Sequence, residues 1–209
     1  DTALADLQQA ASDKRKTEVL QERWYVARDA FKRMEYAIQQ FTPKWHRFFN
    51  GAKLRVIELD EEMGTTFQEW EPIGLQVLEE ELFDGMPLDN VHGTIVKHTK
   101  LMRDRLKRHR VMVTKYPPQP GTYLEAFRHE LLRVGTLSIS DFDTPVLGRG
   151  KQEAVISLTE MQLVLDSLGH YLPVQESLQD SLHNGLDAAI AYLQREDFSA
   201  FYFTRDHLN

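Results

Sequence analysis

The chain has 209 residues, no cysteine, 42% hydrophobic and 27% charged residues and a net charge of −7, enough to bury one sizeable core or two small ones. Without cysteine it can form no disulfide, zinc ribbon, thiol nucleophile or Cys-x-x-Cys-His attachment of c-type haem. The negative balance argues against general nucleic-acid affinity, which needs a basic excess on the contact face, and no apolar run approaches the roughly 20 residues of a membrane-spanning helix.

Residues 1–12, rich in Ala and Gln, read as a helix polar enough to fray. The chain opens at Asp1 with no basic-then-apolar leader, so any export signal is expected to have been removed or never present. From Thr17 to Phe41 the apolar residues Leu20, Trp24, Ala27, Phe31, Met34, Ile38 and Phe41 recur at three- and four-residue steps, one face of a long amphipathic helix. Arg28 and Glu35 lie two turns apart at the edge of that face, which reads as rim charges in solvent. Thr42-Pro43 breaks the helix, and 44–50 reads as a short helical piece ending at Gly51. Residues 52–66, with the acids of 58–62, read as an extended surface loop; the spaced oxygens, sixth-position glycine and closing glutamate of a calcium loop are missing.

The stretch Glu71-Pro72-Ile73-Gly74-Leu75-Gln76-Val77-Leu78-Glu79-Glu80-Glu81-Leu82-Phe83 predicts a helix opened by Pro72, whose missing N–H costs nothing there, with Glu69 and Glu71 at the positive end of the dipole. At about 100° per residue, Phe67, Trp70, Ile73, Gly74, Leu75, Val77, Leu78 and Leu82 cover most of the wheel, the pattern of a buried rod. Gln76 and Glu79 then share a narrow polar strip.

Asp84-Gly85-Met86-Pro87 reads as a turn and 90–112 as the next helix. Seven Lys or Arg against one Asp lie between Lys97 and Arg110. Stacking aromatics are absent from that run, so the expectation is a solvated face complementing the acid-rich segments 58–62 and 79–84, or an acidic partner, rather than nucleic acid. Tyr116-Pro117-Pro118-Gln119-Pro120-Gly121 reads as non-helical, and helices are expected at 122–137, 151–171, 174–194 and from about Asp197, with 138–150 a turn-rich connector. The fold class is therefore all-α, a bundle of six to seven helices forming one domain over 1–209, with 1–116 and 121–209 as candidate half-bundles.

Among eight histidines no His-Glu-x-x-His occurs. Asp180, His183 and Asp187 share a helical face, a pattern surface residues also produce by chance; Glu125/His129 and Asp166/His170 read as helix-stabilising pairs. Neither a Gly-x-Ser-x-Gly, a phosphate loop nor a dinucleotide glycine pattern is present. Glu79 stands out, because an acid on an enclosed helix must find a cation or donors, or stay protonated. Arg28 is its expected partner, with Glu35 and Gln76 completing a polar cluster. That cluster reads either as an interhelical ion pair that sets register, or as a metal or small-ligand site built from Glu35 and Glu79 on facing helices.

The string Glu71-Pro72-x-Gly74-Leu75-Gln76-Val77-Leu78-Glu79-Glu80, the earlier Ala27-Arg28-x-x-x-Lys32-Arg33-x-Glu35, the connector Phe142-Asp143-Thr144-Pro145 and the closing 198–209 resemble the N-terminal helical domain of Bacteroidetes-type di-haem cytochrome c peroxidase proteins. That domain is in turn similar to imelysin-like iron-regulated proteins, marked by Gly-x-His-x-x-Glu on a buried helix. Gly74 and Glu79 match that mark, and Gln76 stands where the histidine would be, a poorer ligand for transition metals.

The resemblance implies an imelysin-like fold and an exported bacterial protein, periplasmic or membrane-anchored. It implies no cofactor in this chain, haem c only in a domain following Asn209, and that haem domain as partner. The resulting expectation is a non-catalytic helical module that docks or presents a cytochrome c peroxidase domain, so that peroxidase (oxidoreductase) activity would belong to the parent. The alternative is an imelysin-type protein binding iron or haem through Glu35 and Glu79. A hydrolase reading, inherited from the peptidase label once attached to imelysin, ranks last because no metalloprotease motif is present.

Overall fold

The structure, a computed structural model, describes residues 1–52, 56–59, 67–84, 88–169 and 176–207. The protein is all-α. Among the described residues are nine α-helices: α1 (Thr2–Ser12), α2 (Thr17–Phe41), α3 (Pro43–Asn50), α4 (Leu75–Phe83), α5 (Leu88–Lys115), α6 (Pro120–Arg133), α7 (Gly150–Gly169), α8 (Glu176–Leu193) and α9 (Ala200–His207). The chain divides into two compact units, the first Asp1–Ala27 with Lys44–Arg108, the second Arg28–Pro43 with His109–Asn209. The division therefore falls inside α2 and α5, not at the proline run.

In the first unit α1 is docked rather than frayed. Leu4, Leu7, Ala10 and Ala11 are buried, and Arg103 of α5 reaches Asp1 at 2.7 Å and Gln8 at 2.8 Å. Trp24 donates its indole N–H to the Leu75 carbonyl at 2.9 Å, and Gln21 donates to the Leu82 carbonyl. These bonds hold the start of α2 along α4, with Trp24, Tyr25 and Phe83 meeting as rings.

The helix expected from Pro72 starts at Leu75 instead. Gly74 is its N-cap, at φ 128°, and pairs with Asn50 in an isolated antiparallel bridge, so 71–74 are spent returning past the end of α3. Phe67 and Trp70 belong not to a helix but to a strand, β2 (Phe67–Trp70), antiparallel to β1 (Val56–Leu59) with Val56 opposite Trp70. Four residues are too few to establish an alternating pattern, although Val, Ile, Phe and Trp favour strands. The loop expected over 52–66 is thus strand over Val56–Leu59, and its remaining acids, at 60–62, lie outside the described residues. Glu71 is not a dipole partner but an exposed acid 2.7 Å from Lys97.

A β-carbon on Gly74 would lie 2.6 Å from the Phe49 carbonyl oxygen, at a φ that side chains rarely adopt. Gly74→Ala is therefore expected to destabilise by about 3 kcal/mol or more, from backbone strain and overpacking together. The check is a lower urea midpoint with an unchanged m-value.

The second unit is built on α7 and α8, which run antiparallel: Gln162 bonds Asp187 at 2.7 Å, and His183 Nε2 lies 3.0 Å from Asp166 Oδ1. Phe127, Val134, Leu158, Met161, Leu193 and Phe203 are among its core side chains. Pro120, expected outside the helix, is its first residue, with Gln119 extended before it; proline loses nothing at that position. After α6 the backbone widens into a π-helical turn, Val134–Ser138, with bonds from Ile139 N to Val134 O and from Phe142 N to Leu137 O.

The connector is tied down by its own side chains. Asp141, at φ 58°, accepts the Gly150 N–H at 2.8 Å, and Thr144 Oγ1 accepts the Arg149 N–H at 3.0 Å. Asp143 and Thr144 are thereby turned inside, 2% and 0% exposed. Residues 170–175 and 208–209, where the sequence suggests the end of one helix and of the chain, lie outside the described residues.

Candidate functional site: a buried ionic cluster

One face of α2, read as Arg28, Lys32 and Glu35 at four- and three-residue steps, enters the second unit fully buried. Arg28 and Glu35 are not rim charges. Arg28 grips Glu153 of α7 with Nε and Nη2, both at 2.8 Å, and donates to the Asp143 carbonyl at 3.1 Å. Lys32 Nζ lies 2.5 Å from Glu35 Oε2, 3.4 Å from Asp143 Oδ2 and 3.8 Å from Glu153 Oε2. Arg133, at the end of α6, places Nη2 2.6 Å from Glu35 Oε1 and 2.7 Å from Asp143 Oδ2. Its Nε is 3.4 Å from Glu130 Oε2. Among the described residues, Arg28, Lys32 and Arg133 thus share one interior with four acids, Glu35, Glu130, Asp143 and Glu153.

Burial alone would lower the pKa of Arg28, but Glu153 first, then Asp143 and Glu35, outweigh it and raise it. Lys32 behaves likewise, burial being outweighed by Glu35, Asp143, Glu130 and Glu153, and so does Arg133, through Glu35, Asp143 and Glu130. All three cations are held charged. Glu130 goes the other way: burial, then Glu35, push its carboxyl up against the opposing pull of Lys32 and Arg133. On the same helix as Arg28 and Lys32, burial and then Glu160 raise the Tyr36 phenol to about 12.

Gln76 and Glu79 belong to the first unit. Both are buried, 4% and 0% exposed, within a run from Leu75 to Glu79 that is buried at every position, as expected of an enclosed rod. Of the four residues singled out by sequence, Arg28 and Glu35 belong to the second unit and to its ionic cluster, and Gln76 and Glu79 to α4 of the first. Beside α4 stands His98 of α5, hydrogen-bonded to the Gly74 backbone. Burial first, then Lys97, draws its pKa down to about 4.

An unfolded His98 takes up its proton near 6.5 and the folded one only near 4. Its contribution to stability is therefore complete above the first value and lost as pH falls across that window, on the order of 3 kcal/mol at most. His98→Gln should flatten this part of the acid limb, read as the difference in denaturation midpoint from wild type at pH 4.5 and 7.5.

Of the other candidates, His183 faces Asp166 and Asp187 accepts from Gln162, so two of the three residues in that pattern have partners on α7. His129 meets Gln40 at 2.9 Å, while Glu125 lies 3.7 Å from Arg128. No group of three metal-ligating side chains occurs among the described residues.

Sequence reasoning missed Lys32, Glu130, Arg133, Asp143 and Glu153 as site residues. A signal existed for two of them. Glu130 stands on the buried stripe of Phe127 and Val134, and Glu153 on that of Ala154, Ser157, Leu158 and Met161, where an acid at helical spacing demands a buried cation.

No protein-family model, curated protein or solved structure matches the chain.

Proposed function

We propose that the chain is a non-catalytic helical module of an exported, periplasm-facing bacterial protein, and that it docks or presents a downstream di-haem cytochrome c peroxidase domain. The observation that supports the non-catalytic part is the position of Lys32. Its ammonium stands among Glu35, Asp143 and Glu153, the place a metal bridging those carboxylates would take, so the acids best arranged for a metal are already neutralised by the protein. Arg28, engaged at both ends of the Glu153 carboxylate, is likewise a structural cation and not a free electrophile. The identity of the partner domain rests on the resemblance of the 71–80, 27–35 and 142–145 strings.

The purified chain is expected to lack a Soret band and to turn over no peroxide. Either signal would overturn the reading. A second reading, iron or haem binding of the imelysin type, draws on the burial of Glu79 and Gln76 one turn apart on α4. It predicts a thermal shift with ferrous or ferric iron that Glu79→Gln abolishes; no shift in either protein would count against it.

A further inference from the structure

We propose that the second unit contains a proton switch: Glu130, the acid left over once Arg28, Lys32 and Arg133 have engaged Glu153, Glu35 and Asp143, holds a proton in the folded chain, and losing that proton loosens the cluster. The cation contacts at 2.5 to 2.8 Å within the cluster go to the other three acids. Glu130 has the Nε of Arg133 at 3.4 Å, while the same guanidinium aims Nη2 at Glu35 and Asp143. Glu130 is 1% exposed, and neither of its oxygens finds a hydrogen bond of good geometry among the described residues.

The groups facing Glu130 are few and identifiable. From α2 come Lys32 and Glu35, from its own helix Arg133, and from α7 Ser157. Ser157 also stands within hydrogen-bonding reach of Glu130 and pulls its carboxyl down, the smallest of the influences on it, while its hydroxyl lies 3.4 Å from the Lys32 carbonyl. Asp143 and Glu153 compete for the same Lys32. Three buried cations cannot neutralise four buried carboxylates, and an unpaired charge in an apolar interior is far more costly than its protonated form. The raised pKa of Glu130 agrees with this placement of the proton.

The sign of the pH effect follows from linkage. A carboxyl whose folded pKa exceeds its unfolded value keeps its proton where the unfolded chain has lost it. Its stabilising contribution is therefore complete below the unfolded value of 4.5 and declines as pH rises toward the folded one. Acidification should tighten the second unit through Glu130, while it weakens the first unit through His98. A comparison with a Glu130 variant cancels the His98 part.

The test uses the full chain. Glu130→Gln supplies a neutral carboxamide in place of the protonated acid, and urea denaturation of both proteins is followed from pH 4 to 9. The expected result is similar stability at the acid end, with the variant gaining on wild type as pH rises, by tenfold or more in the folding constant. A difference that does not vary with pH, or a wild type more stable than the variant at pH 8, would overturn the proposal. Because the variant could fail to fold, a second measurement uses wild type alone: in chain labelled with 13C-glutamate, one carboxyl resonance should stay in the protonated range at pH 6. Titration of every glutamate in the ordinary carboxylate range would overturn it too.

Discussion

Arg28→Met should cost about 3–5 kcal/mol, the penalty of removing one partner from a buried ion pair. The loss is not the value of the ion pair itself, since desolvating two charges consumes most of what their attraction returns. It is the penalty of leaving Glu153, 0% exposed, as a buried carboxylate whose bidentate partner has gone. The double variant Arg28→Met/Glu153→Leu removes both charges and should recover much of the loss, because well-packed apolar groups often replace a buried pair at little cost. Denaturation midpoints of the two singles and the double, combined in a cycle, give the coupling. A double variant as unstable as the sum of the singles would mean that the two side chains act independently.

Lys32→Met is expected to be as severe, about 3–5 kcal/mol, for a different reason. One ammonium serves Glu35, Asp143 and Glu153, so its removal frees no single acid, Arg28 still holding Glu153 and Arg133 still holding Glu35 and Asp143, but takes away the one positive charge that stands among all three. The contrast is Lys97→Met. Lys97 pairs with Glu71 at 2.7 Å, as short as the contacts within the cluster, but the side chains are 57% and 76% exposed, and a pair so hydrated contributes under about 1 kcal/mol. Thermal denaturation of the two variants side by side checks whether burial, rather than distance, sets the magnitude.

Much of the helical framework is legible in the sequence, because strong periodicity carries it. The apolar steps from Leu20 to Phe41 locate α2 between the limits the structure gives, and the crowded wheel of 75–82 marks α4 as enclosed. What escapes is decided elsewhere in the chain. Gly74 delays α4 because it must pass Phe49 and Asn50, contacts that no local pattern announces, and the four-residue strands are too short for alternation to register. Pro120 opens α6, although a proline-rich run by itself reads as a break.

The candidate site divides in the same way. The face carrying Arg28, Lys32 and Glu35 can be drawn from sequence, but its burial cannot, because it depends on acids as far as 125 residues away. Charges at the edge of an apolar face usually belong to solvent; here the connector's Asp143 and the α7 acid Glu153 enclose them. The missed acids at 130 and 153 could have been flagged as charges on apolar stripes, and together they would have predicted a buried cation before any helix was placed.

If the buried acids of the second unit are neutralised by its own lysine and arginines and by a proton, they have no need of a metal ion. Elemental analysis of the full chain purified without chelator, followed by equilibrium dialysis against ferrous iron, tests it most directly. The expected result is no stoichiometric metal before dialysis and no saturable uptake after it. One equivalent of iron per chain, lost in Glu35→Gln, would contradict it.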